Sequence, residues 1–115
     1  MPSPPPLERL LHIRDEVAFL QRCRAKLPDL SALVADEVLR RAVLHGFEII
    51  GEATKNLPPA WREAYPQVAW RNIARMRDKL THHYFETDFE FVWDALQTKI
   101  DPLDATVARM LRELA

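Results

Sequence analysis

Apolar residues at helical spacing, divided into segments by prolines, constrain the fold of this chain more than any other feature. Residues 7–26 repeat leucine, isoleucine and valine at intervals of three and four, which is typical of an amphipathic helix. Pro28 ends this pattern, because proline disfavours a helical conformation in the residue before it. Residues 32–57 carry a second long stripe, which Pro58 stops. No segment alternates convincingly with a period of two, so no strand is predicted.

Further helices are predicted in the segments between the remaining prolines. They are a short helix from Pro59 to Tyr65, one over residues 68–80 that could extend to Tyr84, one from an Asp88 cap to Ile100, and a last one over residues 103–114. Asp29 or Ser31 is expected to cap the second helix. Pro102 either kinks the chain after Ile100 or lets a helix restart with Asp101 as its cap. The predicted fold is all-α, an up-and-down bundle of four to five helices.

The composition agrees with a single helical domain. The 115 residues suit one domain over residues 7–115, with residues 1–6 as a flexible, proline-rich lead-in. The two glycines are too few for an all-β fold or a glycine-rich phosphate loop. The net charge of -1 means that any nucleic acid must be bound by a local patch. The one cysteine, Cys23, excludes an internal disulfide and a cysteine-cluster zinc site, and it is expected to be buried.

The sequence also suggests a cytoplasmic protein. The lead-in lacks the apolar core of a signal peptide. No apolar run approaches the roughly 20 residues that cross a membrane.

The fourth predicted helix contains the residues that stand out chemically. On a helical wheel Ile73, Met76, Leu80 and Tyr84 form one apolar stripe, and Arg77 falls within it. A guanidinium on an apolar stripe is costly unless it is paired or lines a cleft. Arg77 is therefore either an ion-paired arginine of structural importance or part of a functional site.

A basic row and two histidines accompany Arg77. Arg71, Arg75 and Lys79 recur every four residues, so they form either a solvated face or a surface that binds the phosphates of RNA. His82 and His83 follow at once. Neighbouring histidines point in different directions on a helix, and no metal site or cofactor is predicted.

Arginine and histidine together suit metal-independent cleavage of RNA. A histidine can take the proton of the ribose 2′-hydroxyl or give one to the leaving oxygen near neutral pH. An arginine can hold the negative charge that develops on the phosphorus centre.

The segment Arg77-x4-His82-x-Tyr84 resembles the R-x4-H-x-Y signature of the HepT-like HEPN ribonucleases. Upstream, residues 51–58 (GEATKNLP) resemble the family's G-E-A-x-K-x-L-P segment at the end of its second helix. The resemblance covers most of the chain after Leu30 and continues through Trp70, Met76, Tyr84-Phe85, Asp88, Val92-Trp93 and Pro102.

The resemblance implies a HEPN-like homodimer that acts as an endoribonuclease toxin. Arg77 would bind the phosphate and His82 would be the acid or base, with Asp78 and His83 in support. The implied partner is a minimal nucleotidyltransferase antitoxin, which would transfer AMP from ATP to Tyr84 and so block RNA. The substrate is RNA, with tRNA as one candidate.

Wheel geometry adds one expectation. Residues five apart lie about 140° apart on an ideal helix, so Arg77 and His82 cannot converge within one regular helix. We therefore expect the helix to end early near Thr81 and a cleft to form between two protomers. Phe91, Trp70 and Trp93 are expected in the core or at that interface.

Two other functions remain open at this stage. One is a non-catalytic module that binds a nucleotidyltransferase or nucleotides through the same cleft. The other is a purely structural dimeric bundle.

Overall fold

The computed structural model describes residues 5–82 and 88–115, and of Thr81 and His82 it describes the backbone alone. These residues form helices joined by short connections, so the all-α prediction is confirmed. The helices are α1 (Pro6–Ala25), α2 (Leu30–Ala35), α3 (Glu37–Lys55), α4 (Pro59–Ala64), α5 (Trp70–His82), α6 (Phe89–Thr98) and α7 (Ile100–Leu114). The predicted bundle of four to five helices corresponds to the five long ones, α4 is the short helix predicted from Pro59, and α2 is an additional helix of 6 residues.

Helix α3 is the central element. It packs against α1 on one side and against α5 on the other, while α7 lies against α1, and α6 contacts both α7 and α2. Fully buried leucine, isoleucine and valine side chains from α1, α3, α6 and α7 form the core. Helix α5 makes most of its contacts with α3, and this contact determines where Arg77 lies.

Several helix boundaries follow the predicted capping chemistry. The Asp29 carboxylate accepts a hydrogen bond from the backbone N–H of Ala32 at 2.8 Å and caps α2. Asp88 caps α6 in the same way, accepting from Glu90 and Phe91. Pro59 is the first residue of α4, where its missing N–H costs no hydrogen bond.

Three boundaries differ from the prediction. The helix expected over residues 32–57 is two helices, because Asp36 has an extended backbone with ψ of 99° and its carboxylate caps α3 through Leu39. Pro6, which was assigned to the lead-in, is the first residue of α1. After α6 a new helix does begin, but its cap is Lys99 and Asp101 lies within its first turn.

Asp101 has a different role, since it pairs with α1. Arg24 and Gln21 donate to its carboxylate at 3.0–3.1 Å, and the Arg24 guanidinium holds the pKa of Asp101 below its ordinary value.

Cys23 is buried as predicted, and burial raises the pKa of its thiol. No helix in the described part of the chain is both long and apolar enough to cross a bilayer.

Candidate active site around Arg77

The candidate site lies where α3 and α5 approach each other most closely. Gly51 on α3 faces Arg77 on α5, and a Cβ atom built on Gly51 would lie 2.3 Å from the Arg77 Cβ and 3.2 Å from its Cα. Only a residue without a side chain fits at this spacing. Glycine at position 51 therefore lets α5 lie directly against α3, and this contact places Arg77 next to Gly51.

Two carboxylates hold the Arg77 guanidinium. Its Nε lies 3.3 Å from the Glu52 Oε2 on α3, and its Nη1 donates to the Asp78 Oδ1 at 3.0 Å. The Arg77 side chain is 31% exposed, so these pairs are partly shielded from water. The predicted contact between Asp78 and Arg77 is present, and the arginine on the apolar stripe is paired on the side that faces α3.

This arrangement has a chemical consequence. An arginine presents several N–H donors in a planar fork that matches a phosphate group, and two of those donors are oriented here by carboxylates. Paired carboxylates keep the side chain in one position, but they also reduce the positive charge that a phosphate would feel. A phosphodiester bound at Arg77 must therefore share the guanidinium with Glu52 and Asp78 or displace one of them.

Arg77 opens into a shallow depression of about 330 Å³ between α1 and α3. Its other lining residues come from α1 and α3 and are mostly polar: Arg9, His12, His45, Glu48, Ile49, Glu52 and Ala53. His12 and His45 are both exposed, and both lie at this depression.

The basic row of α5 does not join Arg77. Arg75 and Lys79 line a separate, larger and mostly apolar groove of about 650 Å³ between α5 and the α6–α7 pair. The Lys79 Nζ lies 4.5 Å from the centre of the Phe91 ring, and that ring is 41% exposed. Arg71 is exposed and lines neither depression. The row of Arg71, Arg75 and Lys79 and the side chain of Arg77 thus lie on different faces of α5.

The remaining predicted residues are placed as follows. His82 is the last residue of α5, and its side chain, together with His83 and Tyr84, lies outside the described residues. The helix that was expected to end near Thr81 is described as far as His82, and the residues that follow lie outside the described part of the chain. Among residues whose side chains are described, no group of three His, Cys, Asp or Glu could hold a metal ion.

The predicted aromatics divide between core and surface. Trp70 is buried, and its indole N–H donates to the Tyr65 carbonyl at 2.8 Å. Trp93 packs partly buried against the core. Of the three, Phe91 keeps the largest exposed face, at the mouth of the larger groove.

The structure adds Glu52, which the sequence reasoning did not assign to the site. The only feature of the sequence that pointed to Glu52 was its place in the GEATKNLP segment, directly after the glycine that contacts α5. Glu52 and Arg77 are far apart in sequence, so their contact depends on the packing of α3 against α5.

Comparison with known proteins identifies the family of the chain. The family described as Ribonuclease HepT-like matches residues 13–110, which include the contact between α3 and α5 and the whole of α5. The chain belongs to the HepT-like ribonuclease family. No solved structure gives a significant match.

The relatives carry ribonuclease names. A protein of Caldanaerobacter subterraneus subsp. tengcongensis, named as a putative RNase, is 41% identical over 108 residues, or 94% of this chain and 96% of its own length. A probable ribonuclease HepT of Thermococcus cleftensis is 41% identical over 70 residues, covering 61% of this chain and 64% of that protein. A Methanocaldococcus jannaschii protein, also named as a putative RNase, is 33% identical over 86 residues, covering 75% of this chain and 74% of its own.

Proposed function

We propose that this HepT-like protein is a metal-independent endoribonuclease in which Arg77 binds the scissile phosphate and His82 acts as the acid or base. The observation that carries the proposal is the Arg77 guanidinium, held half-exposed by Glu52 and Asp78 beside an open depression. Membership of a ribonuclease family supports the same reaction class.

The reaction needs one base and one acid, and in a homodimer His82 of each protomer would supply one of them. The ribose 2′-oxygen attacks phosphorus as a base removes its proton, and the bond from phosphorus to the 5′-oxygen breaks as an acid protonates that oxygen. The products are a 2′,3′-cyclic phosphate and a free 5′-hydroxyl. Arg77 would stabilise the extra negative charge of the phosphorane.

The proposed active unit is a homodimer. Residues five apart on a regular helix diverge by about 140°, so His82 of one protomer and Arg77 of the other are better candidates to meet across a shared cleft. Equilibrium sedimentation of the wild-type protein tests this, and a protein that stays monomeric at micromolar concentration would exclude the shared cleft.

The proposed control is a nucleotidyltransferase antitoxin that transfers AMP to Tyr84. An added AMP group brings bulk and negative charge, which would repel the RNA backbone near Arg77. Incubation with the partner and ATP should add the mass of AMP to the wild-type protein and not to a Tyr84→Phe variant. Modification that leaves RNA cleavage unchanged would contradict the regulatory role.

The test of catalysis is RNA cleavage in the presence of a chelator. Arg77→Ala and His82→Ala are expected to lower the rate by about 10²–10⁴-fold, the usual contribution of such groups. Arg41→Ala is a matched control, because Arg41 forms only an exposed i,i+4 pair with Glu37 on the α3 surface. Undiminished cleavage by His82→Ala would refute its role, and cleavage that requires metal would refute the mechanism.

A non-catalytic binding module is the second candidate, supported by the net charge of -1 and by the two carboxylates that offset Arg77. In that case the protein would bind a nucleotidyltransferase or nucleotides without cutting RNA. A genomic neighbour that encodes the transferase, together with no cleavage by the isolated protein, would favour the module.

A further inference from the structure

The depression beside Arg77 brings together side chains that the proposed reaction does not use. Arg9 and His12 lie three residues apart on one face of α1, and His45 and Glu48 lie three apart on the facing side of α3. In the described part of the chain these four side chains make no hydrogen bond or ion pair with one another or with other residues. They are therefore donors and an acceptor that a ligand can use.

We propose that this depression binds one sugar–phosphate unit of single-stranded RNA, next to the phosphate held by Arg77. The proposal rests on the proposed ribonuclease function and extends it to the path of the substrate strand. Arg9, His12 and His45 supply N–H donors for the phosphate oxygens, and Glu48 can accept from a sugar hydroxyl. The volume of about 330 Å³ is small for a ligand pocket but sufficient for one such unit lying across it.

The charges in the depression indicate how this binding would work. The charges of the two arginines and the two glutamates cancel, and Glu52 is already paired with Arg77. General attraction of a polyanion is therefore weak here, and binding must come from directed hydrogen bonds. Removing Arg9 should lower the slope of log affinity against log salt by only about 0.7, the value for a single contact with a single strand.

The experiment measures RNA binding in a protein that cannot cut. Fluorescence anisotropy of an unmodified single-stranded RNA oligomer is recorded in the His82→Ala background, with and without the combined substitutions Arg9→Ala, His12→Ala and His45→Ala. Loss of the N–H donors at these three positions should weaken binding by about tenfold to a hundredfold. The matched control is Arg14→Ala, since Arg14 is an exposed arginine on α1 that lies outside the depression.

A gain-of-function variant makes the test independent of damage to the fold. Glu48→Lys loses the acceptor for a sugar hydroxyl but adds a cation beside the phosphate, and the charge-assisted contact outweighs the lost hydrogen bond, so RNA affinity should increase several-fold. Unchanged affinity in both the triple variant and Glu48→Lys would overturn the proposal, and so would an equal loss of affinity in Arg14→Ala.

The two proposals fail in different ways. If wild-type protein does not cut RNA while the triple variant loses binding, the ribonuclease reading fails and the strand-binding site stands. If cleavage depends on Arg77 and His82, but the triple substitution in the wild-type background leaves the KM for RNA cleavage unchanged, the ribonuclease function stands and the strand-binding site fails.

Discussion

A methyl group added at Gly51 should displace α5 and the arginine that it carries. In Gly51→Ala the new Cβ would lie 2.3 Å from the Arg77 Cβ and 3.2 Å from the Ile73 carbonyl oxygen. Carbon atoms in contact normally stay about 3.5–4.0 Å apart, so the first distance is short by roughly 1.2 Å or more. The Arg77 Cβ is attached directly to the α5 backbone, so relief requires the whole helix to move.

Gly51→Ala changes the free energy of unfolding through two opposing effects, the cost of the close contact and the higher helix propensity of alanine. Forcing an extra carbon into a packed contact costs about 1–3 kcal/mol, and the rigid neighbours at Gly51 favour the upper part of this range. Alanine in a helix interior is about 1 kcal/mol better than glycine. The expected net loss is about 2 kcal/mol, which lowers the melting temperature of a domain of this size by roughly 8 °C.

Gly46 on the same helix provides the control. An added Cβ there would lie 2.7 Å from the Leu20 Cδ2, which is the end of a side chain and can rotate away. The gain in helix propensity then roughly cancels the cost, and Gly46→Ala should melt close to the wild-type temperature.

Thermal denaturation followed by circular dichroism compares the two variants, and RNA cleavage is measured well below both melting points. A shift of about 1 Å in the position of Arg77 could lower the rate by up to about 10²-fold in Gly51→Ala. Wild-type stability and wild-type cleavage in Gly51→Ala would refute the argument that the close approach of α3 and α5 sets the position of Arg77.

Three further predictions concern single side chains. Glu52→Ala should lower kcat for RNA cleavage about tenfold or more, while Glu52→Gln should retain part of the rate because its amide oxygen can still accept from Arg77. Equal rates in the wild type and both variants would exclude a positioning role for Glu52. Thr54→Val should leave thermal stability unchanged or raise it by about 1 kcal/mol, since the Thr54 hydroxyl is buried without a hydrogen-bond partner, and Thr54→Ala should be less stable than Val. Asp101→Asn should remove an acid-dependent loss of stability, because Arg24 lowers the pKa of Asp101 in the folded state; the stabilising effect of the carboxylate is present above the ordinary carboxylate range and is lost as pH falls through the folded pKa. Parallel curves of melting temperature against pH for the wild type and Asp101→Asn would contradict this.

Local chemistry made much of the fold predictable. Asp29 and Asp88 cap helices, and Pro59 begins one, because capping depends on residues within one turn of each other. The break at Asp36 was missed, since no proline or glycine accompanies it and the surrounding residues suit a helix. There a carboxylate cap and the packing of α2 against α3 and α6 outweigh helix propensity.

The candidate site was likewise predictable only where its residues are close together in the sequence. Arg77 and Asp78 are adjacent, so their pairing could be inferred from the sequence. The separation of Lys79 from Arg77 follows from the helical wheel, which places the row of Arg71, Arg75 and Lys79 apart from the stripe that holds Arg77. Glu52 and His45 enter only through the packing of α3 against its neighbours, which no local pattern specifies.

The position of Arg77 on an apolar stripe has a physical explanation in this packing. Met76 and Leu80 of the stripe are buried, whereas Arg77 lies at its edge, where Gly51 leaves room for the helices to meet. A guanidinium at such a half-buried edge is stable only when paired, and Glu52 and Asp78 supply that pairing. Under the proposed function the same pairs compete with phosphate, so a substrate must offer a second point of attachment to bind well. The depression lined by Arg9, His12 and His45 lies where that attachment would be made.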